Sequence, residues 1–168
     1  MSVSIRRAQR DDLDFLVELD EHPEVDPFLA AGRVREPEAL LEQLERSQRE
    51  PAAYGRMIVD VDGERAGVME YRRTNERSRI ASLGGLAIHP GFRGRRVADE
   101  AARLLQRYLF DELGYHRLEL EIYGFNERAI AHAERAGFVR EGVKRKAYLR
   151  GDEWVDGVCF ALIREDLD

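Results

Sequence analysis

The sequence contains little cysteine and no long hydrophobic run. Cys159 is the only cysteine, so an internal disulfide and a zinc site built from several cysteines are both excluded. Its apolar surroundings predict a buried structural thiol. Nowhere do 18 apolar residues follow one another, and the first residues show no apolar stretch before a cleavage site, so we expect a cytoplasmic protein with no membrane partner. The four histidines are scattered, and we expect no metal site.

Basic residues are not in excess either. The net charge is −6, and residues 1–50 carry all of it, with thirteen Asp and Glu against seven Arg. Because nucleic-acid binding needs a basic stripe, we expect no nucleic-acid partner. The acidic part indicates solvated helix faces, which we favour, or an acidic rim from Glu21 to Asp26 that attracts a cationic substrate. A small basic cluster is typical of a solvated strand face: Arg140, Lys144, Arg145, Lys146 and Arg150.

The length of 168 residues and the hydrophobic content of 43% predict one folded domain over residues 1–168. Hydrophobic periodicity predicts an α+β fold. Strands are expected near 3–5, 57–61, 65–72, 79–88, 118–122, 138–149 and 154–163, and helices near 13–21, 37–50, 97–113 and 126–136. Asp11 and Asp12 are placed to cap the first helix. A strand, a long helix and a further strand require a parallel pair in the middle of this sheet.

The most informative stretch runs from Leu83 to Leu113. It reads as a strand interrupted by Gly84-Gly85, then a turn rich in Gly and Arg, then an amphipathic helix. Paired glycines inside a strand predict a bulge that separates neighbouring strands. Free N–H groups at the helix start, together with Arg93, Arg95 and Arg96, predict a cradle for a phosphate-rich cofactor.

The segment from Leu86 to Gly137 resembles the Gcn5-related N-acetyltransferase (GNAT) family. The tail from Phe138 to Asp166 is similar to the branch with ribosomal-protein N-terminal and polyamine acetyltransferases. The resemblance implies a mixed, mostly antiparallel sheet of about seven strands with a central splayed parallel pair and about four helices. It also implies acetyl-CoA as co-substrate, and acetyl transfer to a primary amine of a protein N-terminus, a polyamine or a small molecule.

The resemblance also implies where coenzyme A binds. The family's pyrophosphate loop aligns with Arg93, Gly94, Arg95, Arg96, Val97 and Ala98. The bulged strand would offer Leu86, Ala87 and Ile88 to the pantetheine arm. Asn126, which opens an Asn-x-x-Ala-Ile pattern, would contact the cofactor, cap the next helix, or do both.

Arg96 stands where the family has a glycine, and two interpretations are open. The position requires a positive φ, and the arginine then strains or crowds the site. Alternatively, the backbone there is helical and the side chain swings out or grips a phosphate, which is the interpretation we favour.

The catalytic residues depart further from the family. Ala133 occupies the position of the tyrosine that protonates the departing thiolate in relatives, and His132 beside it is expected to point to solvent. Glu70 and Ser82 are our candidates for the group that accepts the amine proton, although a solvated edge position is open for Glu70.

Two functions are therefore weighed. The first is an acetyl-CoA-dependent N-acetyltransferase that works by direct attack of the amine. The alternative, supported by Arg96 and Ala133, is a non-catalytic acyl-CoA-binding or regulatory module with the same fold. A homodimer formed through edge strands is also left open.

Overall fold

The computed structural model describes residues 1–167, so Asp168, the last residue of the predicted domain, lies outside the described residues. Within residues 1–167 a seven-stranded sheet carries four α-helices, and this confirms the predicted fold class. The strands are β1 (Val3–Arg7), β2 (Tyr54–Val61), β3 (Glu64–Asn75), β4 (Ile80–Ile88), β5 (Arg117–Tyr123), β6 (Val139–Arg150) and β7 (Glu153–Ile163). The helices are α1 (Leu13–Glu21), α2 (Pro37–Arg49), α3 (Val97–Arg107) and α4 (Glu127–Arg135). No helix of residues 1–167 combines the length and hydropathy needed to cross a membrane.

The strand order is β1-β2-β3-β4-β5-β7-β6. Neighbours are antiparallel except for β4 and β5, which run parallel and are connected through α3. The predicted parallel pair is therefore confirmed, and it lies in the middle of the sheet. Such a connection needs a crossover of a dozen or more residues, and the helical segment between β4 and β5 supplies it.

The helices cover both faces of the sheet. Ile58, Val68 and Ala87 pack with the core of α1 and α2, whereas Met69 and Leu118 pack with α3 and α4 on the other face. Successive strand residues point to opposite faces. Val68 faces α1 and α2, so the even-numbered residues next to it in β3 do too. Leu118 faces α3 and α4, so the odd-numbered residues next to it in β5 lie on the opposite face, which we call the α1/α2 face. This alternation decides which polar side chains meet beside the parallel pair.

The structure corrects the expected cap of the first helix. Asp12 precedes α1, but its side chain makes no capping hydrogen bond to that helix. Its carboxylate is buried and accepts hydrogen bonds from Arg6, from Arg65 and from the backbone N–H of Gln9. The residue ties β1 and β3 to the start of the helical segment instead.

The end of the long helix also differs from a regular helix. After α3 the chain continues as a π-helical turn over Tyr108–Glu112, and Gly114 ends it with φ +73°. The extent of the predicted helix is confirmed, including its stop at a glycine with positive φ. Cys159, expected to be buried, is only half-buried in β7.

Candidate active site

A bulge separates the two parallel strands. Val68 lies opposite Ala87 and Glu70 lies opposite Gly84, so Gly85 and Leu86 together face a single residue of β3. On the other side of β4, pairing with β5 covers only residues 80–82 and 117–119. Beyond that point the strands diverge, which leaves backbone groups of the bulge free to bind a ligand.

The gap between β4 and β5 widens into a cleft of 870 Å³. Its walls come from β3, β4, β5, β6, α3, α4, the turn before α3 and the segment between α1 and α2. Nine of the ten predicted cofactor contacts line it: Leu86, Ala87, Ile88, Arg93, Gly94, Arg96, Val97, Ala98 and Asn126. Arg95 lies on the adjoining surface with its guanidinium 5.9 Å from the ring centre of Phe92.

The turn before α3 brings backbone N–H groups to the cleft through two left-handed residues. Gly94 has φ +79° and Arg96 has φ +57°, and α3 begins at the next residue. A helical backbone at Arg96, the interpretation that we favoured, is therefore wrong. The position has the positive φ that a glycine adopts at no steric cost, and arginine adopts it under strain.

Arg96→Gly is expected to raise the free energy of unfolding by about 0.5–1 kcal/mol, because relief of the left-handed strain exceeds the extra entropy of glycine in the unfolded chain. Chemical denaturation of the two proteins measures the difference. Arg95→Gly is the matched control: Arg95 has no positive φ, so this substitution should lower stability. A loss of stability in Arg96→Gly as large as in the control would contradict the strain.

Arg93 binds the segment between α1 and α2. Its Nη2 donates to the backbone oxygen of Glu24 at 3.0 Å, and its Nη1 lies 3.9 Å from the carboxylate of the same residue. Burial and the nearby Arg128 lower the pKa of Arg93. The arginine expected to grip phosphate therefore also holds a wall of the cleft in place.

The start of α4 forms the opposite wall. Asn126 accepts a hydrogen bond from the backbone N–H of Ala129 at 3.2 Å, so its role as a helix cap is confirmed, while its cofactor contact stays a prediction. Ala133 is buried and lines the cleft. His132 also lines it, with 14% of its side chain exposed, so the expected solvent position is wrong. Burial lowers the pKa of His132, which favours the neutral imidazole.

The two candidate catalytic residues have different environments. Glu70 lines the cleft from β3, which β2 and β4 flank, so the open interpretation as an edge residue is wrong. Its carboxylate is 3.1 Å from Arg56 and 3.0 Å from Arg72. Among the described residues, Ser82 lies outside the lining, at the last position where β4 pairs with β5.

A second carboxylate stands across the gap. Glu121 follows the paired residue Glu119 by two positions, as Gly84 follows Ser82, so Glu121 and Gly84 lie at the same level of the diverging strands. Glu70 pairs with Gly84 and is at this level too. Both carboxylates lie on the α1/α2 face, one on each side of the opening.

Sequence reasoning missed the partners of Glu121. Tyr148 of β6 donates its hydroxyl hydrogen bond to Glu121 Oε1 at 2.5 Å, and Lys144 Nζ lies 3.0 Å from Oε2. Tyr148 lines the cleft as well. The strand that carries Tyr148 was predicted. No pattern in the sequence, however, indicates that β6 lies beyond β7 in the sheet or that the Tyr148 ring lies over Gly157.

The segment between α1 and α2 spans the cleft from the side of α3 to the side of β6. Arg150, at the end of β6, donates to the backbone oxygens of Leu29 at 3.0 Å and Pro27 at 2.5 Å. Asp26 is paired with Arg33 and Arg35, so part of the expected acidic rim is neutralised within the chain. Glu24 remains on the cleft wall.

This architecture defines a class of protein. A narrow opening between diverging parallel strands leads from a basic, N–H-rich helix start to a pair of carboxylates. Such a cleft suits an extended phosphorylated thioester whose phosphates lie at one end and whose acyl group lies at the other. The class is that of acyl-CoA-dependent transferases.

Comparison with known proteins gives the family. The model of the acetyltransferase (GNAT) domain matches residues 2–139, and the chain belongs to the GNAT family of N-acetyltransferases, which use acetyl-CoA. It is 32% identical to spermidine N(1)-acetyltransferase of Escherichia coli K12 over 147 residues, 84% of this chain and 75% of that protein. An uncharacterized prophage-derived N-acetyltransferase of Bacillus subtilis is 34% identical over 83 residues, 49% of this chain, and the match spans about half its length, 47%. The structure of a Vibrio cholerae spermidine N-acetyltransferase with CoA and spermine superimposes with a TM-score of 0.88 at 21% identity, covering 99% of this chain and 98% of that one. The resemblance predicted from the sequence is confirmed.

Proposed function

We propose that the chain transfers the acetyl group of acetyl-CoA to a primary amine of a cationic acceptor of the polyamine type. The observation that carries this proposal is the pair of carboxylates, Glu70 and Glu121, on the same face and on opposite sides of the bulge. Both carboxylates have basic partners within the chain, Arg56 and Arg72 for Glu70 and Lys144 for Glu121, so they serve as hydrogen-bond acceptors at two separate points of the cleft and not as uncompensated charge. An acceptor with more than one ammonium group can donate to both points. A protein N-terminus or a small monoamine presents fewer such charges.

The comparisons support this acceptor class. A relative that is 32% identical to this chain over 147 residues is a spermidine acetyltransferase, and a solved neighbour holds CoA and spermine. We also propose that residues 1–168 act as one cytoplasmic domain.

Acetyl-CoA would supply the activated acyl group, and the residues of the chain would hold it. The N–H-rich turn from Arg93 to Ala98 would bind the phosphates, and the free backbone groups of Leu86 and Ile88 would bind the pantetheine arm. Glu70, held by two guanidinium groups, would orient the incoming amine. Ser82 would act at most through water, because it lies outside the cleft lining.

The test is the release of free CoA thiol with a panel of amines. The panel contains spermidine, a linear diamine, a peptide with a free N-terminus and an alkyl monoamine that carries no second charge. We expect kcat/KM to be at least about fivefold higher for spermidine and the diamine than for the monoamine, because one added ion pair is worth about 1 kcal/mol in a partly buried cleft, which corresponds to about fivefold. Preference for the peptide would overturn the acceptor class.

The non-catalytic module gives a different result in the same assay. Ala133 favours it, since this cleft residue lacks the phenol that relatives carry. A binder would gain thermal stability with acetyl-CoA and release no thiol with any amine.

A further inference from the structure

The hydrogen-bonded pair of Tyr148 and Glu121 is a candidate for proton transfer in the cleft. The phenol ring lies over Gly157, whose missing side chain makes room for both partners, since a Cβ there would lie 2.7 Å from Tyr148 Cε2. The hydroxyl is 2.5 Å from Glu121 Oε1. Both residues line the cleft, so a bound ligand can reach the pair.

Tyr148 and Glu121 lie beside the part of the cleft where the bulge of β4 would hold the thioester carbonyl. Glu121 and Gly84 face each other across the diverging strands, two residues beyond the last paired position on each. The bulge that begins at Gly84 presents the backbone N–H groups suited to polarise a thioester carbonyl. An amine that attacks this carbonyl from the α1/α2 face therefore arrives next to β5 and its partners.

The proton positions fit a relay. The Tyr148 hydroxyl proton is directed to the carboxylate, so Oη is an acceptor on its other side, where Lys144 is one donor and an incoming amine would be a second. Lys144 Nζ lies 3.0 Å from Glu121 Oε2 and holds the carboxylate in place beside the phenol. The hydrogen bond to Glu121 and burial raise the pKa of Tyr148, so the phenol keeps its proton at neutral pH.

We propose that Tyr148 and Glu121 form the proton relay that deprotonates the attacking amine. This inference rests on the proposed function. The ammonium group of the acceptor first loses one proton to solvent. The lone pair of the neutral nitrogen then forms the C–N bond to the carbonyl carbon, and the C–S bond breaks with its electron pair leaving on sulfur. One proton of the positively charged nitrogen passes to Tyr148 Oη while the phenol proton passes to Glu121 Oε1, and Glu121 then releases it to solvent.

The relay also accounts for Ala133. A thiol with a pKa of about 8.5 is a tolerable leaving group without a protonating phenol, whereas the amine must lose a proton for the products to form. Two tyrosines line the cleft, Tyr123 at the end of β5 and Tyr148 on β6, and Tyr148 is the one that donates a hydrogen bond to a cleft carboxylate at the side where the amine enters.

The test compares Tyr148→Phe and Glu121→Gln with the parent, using the amine that works best in the thiol-release panel. Phenylalanine keeps the ring over Gly157 and glutamine keeps a hydrogen-bond acceptor, so both variants should fold. We expect kcat to fall by about 100-fold in each, with KM for acetyl-CoA and the thermal stabilisation by CoA unchanged within about twofold. The double variant should be no slower than either single one, because the two residues act as a unit.

Glu119→Gln is the matched control. Glu119 is two residues away on the same face of β5, pairs with Arg117 and lies outside the cleft lining, so parent activity is expected. Tyr148→Phe with more than a third of parent kcat, or single effects that multiply in the double variant, would overturn the relay alone. A parent that releases no thiol with any amine would overturn the proposed function and the relay together.

Discussion

Gly85→Val is expected to lower kcat/KM for acetyl transfer by about 100-fold or more. Gly85 has φ +61° within the bulge, a conformation that a β-branched residue avoids. A Cβ would meet nothing closer than Glu70 Cβ at 3.7 Å, so the obstacle is the backbone conformation and not a clash. When the bulge rearranges, the N–H groups that polarise the thioester carbonyl move, and the loss of one such donor costs about 10²- to 10³-fold in kcat.

Gly151→Val provides the matched control. Gly151 lies in the turn between β6 and β7 and has the same φ of +61°. A Cβ there would have no neighbour within 4 Å. Both substitutions should reduce the free energy of unfolding by about 1–2 kcal/mol, yet only the one at the bulge should reduce activity. Denaturation curves and steady-state rates of the two variants separate these effects. Equal loss of activity in both would mean that general destabilisation, and not the bulge, is responsible.

Asp12→Ala is expected to lower the free energy of unfolding by about 2–3 kcal/mol. The carboxylate is 1% exposed and joins Arg6 at 2.7 Å to Arg65 at 2.7 Å. Its removal leaves both guanidinium groups without their common partner and the backbone N–H of Gln9 without its acceptor. The arginines are 37% and 43% exposed, so water compensates in part and the value lies below that of a fully buried pair.

The effect of Asp12 depends on pH with a definite sign. Burial alone would raise the pKa of Asp12, but hydrogen bonds from Arg6, Gln9 and Arg65 outweigh it and hold this pKa well below its usual range. Because the folded pKa is depressed, the carboxylate contributes its full stability above the unfolded pKa of about 3.9 and loses it as the pH falls further.

Denaturation at several pH values tests this dependence. The difference between the parent and Asp12→Ala should be constant near neutrality and should narrow below about pH 4. Asp11→Ala, which alters the exposed neighbour, should change stability by less than about 0.5 kcal/mol. A difference that widens in acid would contradict the depressed pKa.

The sequence predicted those features that local chemistry dictates. Gly84-Gly85 predicted the bulge because glycine weakens a regular strand and is typical of bulges. Gly114 predicted the end of the long helix. The order of strand, helix and strand predicted the parallel pair, because a long helical crossover returns the chain to the end of the sheet at which the first strand began. These are properties of neighbouring residues, and a pattern along the chain is enough to find them.

The contacts between distant segments were not predictable. Arg93 was expected to bind phosphate, and nothing in the sequence indicated that it also binds Glu24, 69 positions away. His132 was expected in solvent, but the packing of α4 beside α3 covers it. Asp12 was expected to cap a helix, and two arginines from different strands take its oxygens instead.

By itself, therefore, the sequence determined the fold class, the opening between the parallel strands and the helix start that faces it. Only the tertiary structure decided which side chains meet there. The strand order places β6 outside β7, which brings Tyr148 to Glu121, and the alternation of residues along β3 and β5 sets Glu70 and Glu121 on one face. Local patterns fix how a segment folds, because hydrogen bonding and side-chain period act between near neighbours. The meeting of distant side chains depends on packing across the whole sheet, which no local pattern records.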